Sequence, residues 1–227
     1  MNRTDVCRHI EEVGIVPVVR APSAELAIRA VDAIMEGGLP LCEITLTVPG
    51  AVETIRALCQ RLGGRACVGA GTVLSAEEAR ACIGAGAQFI VSPGLDVPTL
   101  RVAHECGVAV MPGALTPTEV ILAWKEGADM VKIFPCSAVG GAKYVRALRG
   151  PLPSVKLLPT GGVNLSTAAD YISAGASALG VGTDLVDVSV LEAGQDAVIT
   201  ERAHDWVEAV RSARDSLRRQ NTARARP

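Results

Sequence analysis

Eight short apolar runs, at 15–20, 41–47, 66–73, 89–94, 109–115, 130–135, 155–162 and 178–185, recur along this chain with longer stretches between them. Those stretches, including 24–36, 52–62, 76–83 and 167–174, are rich in Ala, Leu, Glu and Arg, and several close on a glycine suited to a helix end. Strand-like runs alternating with helical ones from end to end are the pattern of repeated βα units on a parallel sheet. Eight units predict a single α/β domain over 1–227, a (β/α)8 TIM barrel. An extra N-terminal helix over 6–13 is expected to plug or flank the barrel floor. At the other end, residues from about 215 to 227 read as a flexible Arg-rich tail, with Arg218, Arg219, Arg224 and Arg226 beyond the last apolar helix positions.

Composition narrows the function classes. Aromatic residues make up 3% of the chain and hydrophobic residues 49%, so Val, Ile, Leu and Ala must build the core. A net charge of −2, with acids and bases interspersed, gives no electrostatic case for nucleic acid or an anionic membrane. The 7 cysteines are scattered without a C-x-x-C pair, which fits free thiols in a reducing cytoplasm. No apolar segment follows Met1 to Asp5 as in a secretory leader, and no run reaches membrane-spanning length. The expectation is a soluble, cytoplasmic protein whose ligand is a small molecule.

Two charged residues break the apolar pattern. Lys132 sits inside Met130-Val131-Lys132-Ile133-Phe134-Pro135, and Glu43 inside Leu41-Cys42-Glu43-Ile44-Thr45-Leu46. Side chains alternate along a strand, so Lys132 and Phe134 share the face opposite Val131 and Ile133, and Glu43 shares one with Thr45. If the aliphatic residues pack under helices, the lysine and the carboxylate point into the barrel. Burial disfavours a charged ammonium, which makes Lys132 a candidate amine nucleophile, and a buried carboxylate can move protons. Those are the two parts Schiff-base chemistry needs; the alternative is a structural Lys132–Glu43 ion pair. The other lysines, Lys125, Lys143 and Lys156, fall on a helix, a helix start and a strand start.

In such a barrel the reactive groups gather where strands end. Polar and glycine residues crowd those ends: Thr45 and Thr47, Gly69-Ala70-Gly71-Thr72, Ser92-Pro93-Gly94, Pro159-Thr160-Gly161-Gly162 and Gly180-Val181-Gly182-Thr183. The last two precede helix starts, a place where barrels hold phosphate on backbone N–H groups. Asp184, at the same lip, would repel phosphate unless its side chain caps a helix instead. His9, His104 and His204 lie on helical stretches away from the strand ends, so no metal site and no cofactor is expected.

On these residues the chain resembles the 2-keto-3-deoxy-6-phosphogluconate (KDPG) aldolase family, which also covers 4-hydroxy-2-oxoglutarate (KHG) and 6-phosphogalactonate (KDPGal) aldolases. The likeness runs from about Ile15 to Leu191, through Glu43-Ile44-Thr45-Leu46, Val68-Gly69-Ala70-Gly71-Thr72-Val73, Ser92-Pro93-Gly94, Lys132-Ile133-Phe134-Pro135 and Pro159-Thr160-Gly161-Gly162. The resemblance implies a homotrimeric class I aldolase acting on a phosphorylated 2-keto acid, with Lys132 forming the imine and Glu43 shuttling protons. It implies that Thr72, Pro93 and Phe134 line the pyruvate pocket, Thr160 meets the middle hydroxyls, and Gly161, Gly162, Gly182 and Thr183 hold the phosphate. One position departs from the pattern. The phosphogluconate type carries Arg two residues after the Thr of the second run to bind the substrate carboxylate, and here Thr47 stands there. Arg20 ends the first run, where the phosphogalactonate type carries Arg. KDPG is the leading substrate, favoured by Thr160, with the galacto epimer and 4-hydroxy-2-oxoglutarate as rivals. A phosphosugar isomerase or epimerase would need two opposed proton-transfer groups and no imine lysine. A non-catalytic phosphate-binding barrel would leave Lys132 unexplained.

Overall fold

The computed structural model describes residues 1–224. Helix α1 (Arg3–Val13) leads into an alternation of β1 (Ile15–Val19), α2 (Ala24–Glu36), β2 (Leu41–Thr45), α3 (Ala51–Leu62), β3 (Cys67–Gly71), α4 (Ala76–Gly84), β4 (Phe89–Val91) and α5 (Val97–Glu105). Next come β5 (Ala109–Met111), β6 (Gly113–Ala114), α6 (Pro117–Lys125), β7 (Val131–Ile133), α7 (Ala142–Arg149), β8 (Leu157–Pro159), α8 (Leu165–Ser173), β9 (Leu179–Val181), α9 (Val188–Glu192) and α10 (Asp196–Arg224). Every strand pairing is parallel: one curled sheet has the order β5-β4-β3-β2-β1-β9, and a second has the order β6-β7-β8. The expected run 109–115 is therefore two strands. Pro112 divides them because it has no N–H to give a ladder, although its carbonyl still accepts from Lys132 N–H at 2.9 Å. The two sheets are linked at the far side by a parallel bridge between Thr160 and Gly180, and by Ser177 N–H donating to Leu157 O at 2.9 Å.

Local sequence explains the regularity of the returns from helix to strand. After α4, α5, α6 and α8 the glycine of each Gly-containing tail, Gly86, Gly107, Gly127 and Gly175, takes a left-handed φ of 105°, 68°, 94° and 95°. The following residue then donates back into the last turn, as Ala87 does to Cys82 O and Ala128 to Ala123 O, both at 3.0 Å. This closure satisfies carbonyls that the helix end leaves open, and only glycine takes that φ at no steric cost.

The outward faces of the strands, among them Ile44, Val68, Ile90, Val131, Ile133 and Leu157, pack with the helices in one large cluster. The inward faces near the strand starts, Val16, Leu41, Cys67, Phe89, Ala109, Met130 and Leu158, form a second cluster with Val6, Cys7 and Ile10 of α1. Helix α1 thus closes the floor, as expected, and leaves the opposite end for chemistry. Of the residues expected in the tail, 215–224 continue α10, with Leu217 packed against the core, and 225–227 lie outside the described residues. Among the described residues no helix is long and apolar enough to cross a membrane.

Candidate active site

Strand alternation puts Val131 and Ile133 under the helices and turns Lys132 inward, where it is 5% exposed. Its Nζ lies 5.1 Å from the centroid of the Phe134 ring, within cation–π range. Glu43 is inward on β2, 1% exposed, and its Oε1 is buried without a hydrogen-bond partner. Burial pushes the Glu43 carboxyl above the ordinary carboxylate range, opposed by the positive charges of Lys132 and then Arg20. An orphaned buried acceptor costs folding free energy, of the order of 1–3 kcal/mol in general, and such atoms concentrate where function requires them. This acid lies close enough to the lysine to feel its charge and is poised to carry a proton.

Above the pair opens a cavity of about 750 Å³. Its walls include Arg20, Thr47, Thr72, Pro93, Lys132, Phe134, Thr160, Gly161, Gly162, Gly182 and Thr183. Every residue expected at the site from sequence is brought to it except Glu43, which lies beneath, pressed against Gly71. The walls missed in the sequence are Val18, Ala21, Pro22, Val163, Gly180, Val186 and Val188. They carry no reactive group, so only their nearness to strand ends could have marked them.

Three local features shape the cavity. Thr72 sits at φ 58°, a left-handed conformation that is a genuine outlier for a β-branched residue. Thr45 donates its hydroxyl proton to Val19 O at 3.1 Å and meets the Thr47 hydroxyl at 2.7 Å. A carbonyl can only accept, so while Thr45 donates to Val19 O the Thr47 hydroxyl is the donor between the two threonines. Arg20, exposed at the cavity wall, forms no ion pair among the described residues.

At the lip beyond β8 and β9, the amides of Gly162, Val163 and Thr183 donate to no protein acceptor among the described residues. Asn164 caps α8 with its side chain. Asp184 turns away from the cavity: its Oδ2 accepts from Leu165 N–H at 3.3 Å and from the Trp206 indole N–H at 3.1 Å. The acid is thus engaged at the first turn of α8, the alternative under which it does not oppose an anion. Among the described residues no group of three His, Cys, Asp or Glu side chains comes together to hold a metal ion.

Comparison with known proteins places this geometry. The family model for KDPG and KHG aldolase matches residues 6–202. The chain is 36% identical over 197 residues to the KHG/KDPG aldolase of Escherichia coli K12, covering 87% of this chain and 92% of that one. It is 35% identical over 204 residues to the 2-dehydro-3-deoxy-6-phosphogalactonate aldolase of the same organism, covering 89% and 97%. A solved structure of KDPG aldolase from Legionella pneumophila, with pyruvate captured as a covalent carbinolamine intermediate, superposes with TM-score 0.81 at 26% identity over 87% of this chain and 96% of that one. The chain belongs to the KDPG and KHG aldolase family. It is an aldolase, a carbon–carbon lyase, with relatives named for both the gluco and the galacto substrate.

Proposed function

We propose that this chain is a class I aldolase that cleaves KDPG to pyruvate and glyceraldehyde 3-phosphate. The observation that carries the reading is the burial of Lys132 in the wall of a largely apolar cavity, near a Glu43 whose Oε1 has no hydrogen-bond partner and whose pKa burial raises. In this reading Lys132 attacks the C2 ketone, and loss of water gives a protonated imine. Glu43, acting directly or through water, takes the C4 hydroxyl proton as the C3–C4 bond breaks. The bonding pair flows into the imine to form an enamine, and the aldehyde leaves. Returning the proton to C3 and hydrolysing the imine frees pyruvate. Phe134 keeps the nitrogen in a partly apolar setting, while Thr72, Pro93 and Thr160 line the substrate's path. The free amides at Gly162 and Thr183 supply donors for the phosphate, with Gly161 and Gly182 leaving room for it.

The frame for this chemistry is a closed eight-unit barrel. The Thr160–Gly180 bridge supports closure on one side, and the continuity of β5 and β6 through Pro112 supports it on the other. We further take it to work as a homotrimer in the cytoplasm, by likeness to its family. A second substrate reading, the galacto epimer, is favoured by Arg20: besides Lys132 it is the cation that lines the cavity, it forms no ion pair among the described residues, and Thr47 is engaged with Thr45. Borohydride reduction in the presence of pyruvate should add a pyruvate-derived mass to Lys132, read by peptide mass spectrometry. Labelling of a different lysine, or of none, would sink the Schiff-base reading. A panel of KDPG, its galacto epimer and 4-hydroxy-2-oxoglutarate then ranks the substrates by kcat/KM.

A further inference from the structure

Gly71 ends β3 directly opposite the end of β2, paired in register with Thr45, while Gly69 pairs with Glu43. Both glycines occupy inward positions of β3, two residues apart. A Cβ on Gly69 would overlap the Phe89 ring, and a Cβ on Gly71 would overlap the Oε1, Cδ and Cγ atoms of Glu43. Neither has a positive φ, so the backbone would accept alanine at both. What requires glycine at 71 is the space the carboxyl group occupies.

We propose that Gly71 is a positioning residue for Glu43: its missing side chain is the seat on which the carboxyl group lies, and the seat aims that group at the reacting atoms. The inference rests on the aldolase reading and adds to it a residue that touches neither substrate nor imine. The seat also explains the state of the acid. Lying against a strand backbone, with Phe89 filling the neighbouring inward position, the carboxyl group is shut off from water and left without a donor to Oε1. Lys132 on β7 and Arg20 at the end of β1 are the charged groups that act on it.

Gly71→Ala should lower kcat about 100-fold, the scale of misplacing a catalytic group by about 1 Å, while KM stays within about threefold. Pushed off its seat toward the cavity, Glu43 regains water, so the limb of the pH–rate profile that it governs should move to lower pH. Gly69→Ala, equally crowded but against Phe89, should cost stability without moving that limb. Should Gly71→Ala fail to fold, Gly71→Ala/Glu43→Ala reads the same contact: removing the carboxyl group frees the space, so the double variant should unfold at about the temperature of Glu43→Ala alone. Wild-type kcat and an unmoved profile in Gly71→Ala, or equal destabilisation by it with and without the Glu43 side chain, would overturn the proposal. Glu43→Gln assayed alongside keeps the two readings apart, since full activity there would remove Glu43 from the mechanism whatever Gly71 does.

Discussion

In the proposed function Glu43 is a buried acid that moves protons, and its burial holds the fold back at neutral pH. Its folded-state affinity for a proton is raised above that of the unfolded chain, chiefly by burial. The native state therefore binds more protons than the unfolded one between the ordinary glutamate range and the raised value, and stability falls as pH rises through that window. Glu43→Gln keeps the shape and removes the charge. It should lower kcat by about 10²- to 10⁴-fold, the usual contribution of a placed acid/base group, and should raise the melting temperature at neutral pH. The gain should vanish once the pH falls below the ordinary glutamate range, where both states carry the proton. A variant with near wild-type turnover, or one less stable at neutral pH, would contradict this account. Arg20 is the other residue whose role can be argued from geometry. In the proposed function Thr47 is engaged with Thr45, and Arg20 binds the substrate carboxylate in a forked geometry. Arg20→Ala should raise the dissociation constant for pyruvate about 10- to 100-fold, the scale of a hydrogen bond to a charged group, and Arg20→Lys should recover it only in part. Unchanged pyruvate affinity in Arg20→Ala would leave the carboxylate to Thr72, Pro93 and backbone amides.

Elements were legible where local chemistry alone decides them. Helix α2 spans the expected 24–36, and the Gly-containing returns after α4, α6 and α8 were readable because a left-handed closure needs glycine whatever surrounds it. Strand ends were less legible. The runs 66–73, 155–162 and 178–185 shrink to Cys67–Gly71, Leu157–Pro159 and Leu179–Val181, since the Thr and Gly residues that follow these strands leave the regular ladder and turn into the cavity wall. The split at Pro112 could have been read from the missing donor, and was not because the run stayed apolar on both sides. At the site, Lys132 and Glu43 were visible as charges out of place. The seat at Gly71 was not, because a glycine's role here depends on which side chain leans over it from another strand. Asp184 was ambiguous in sequence for the same reason: its partners, Leu165 N–H and the Trp206 indole, come from α8 and α10.

The cavity holds together only if the two sheets meet, because its walls come from both: Arg20 follows β1 and Thr183 follows β9 of the six-stranded sheet, while Lys132 lies on β7 and Thr160 follows β8 of the other. The joint between β8 and β9 is thin, a single bridge from Thr160 to Gly180 beside the Ser177–Leu157 hydrogen bond. It is tight because Gly180 has no side chain: an added Cβ would overlap Thr160 Oγ1 and approach Thr160 Cγ2 to 2.9 Å. Gly180→Ala therefore overpacks the seam, at a cost of about 1–3 kcal/mol for a crowded interior, which in a chain of this size lowers the melting temperature by roughly 2–12 °C. Activity should fall with it, since relief of the clash displaces Thr160 and with it one wall of the cavity. Gly182 offers the internal comparison. Two residues along the same strand end, a Cβ there meets nothing within 4 Å, so Gly182→Ala should shift the melting temperature by no more than about 2 °C, as a substitution of about 0.5 kcal/mol would. Differential scanning calorimetry of the two variants, with cleavage assays beside it, measures the contrast. If β8 and β9 were not joined at this seam, alanine at 180 would cost no more than alanine at 182, and the proposed closed barrel would give way to two sheets held together by their helices.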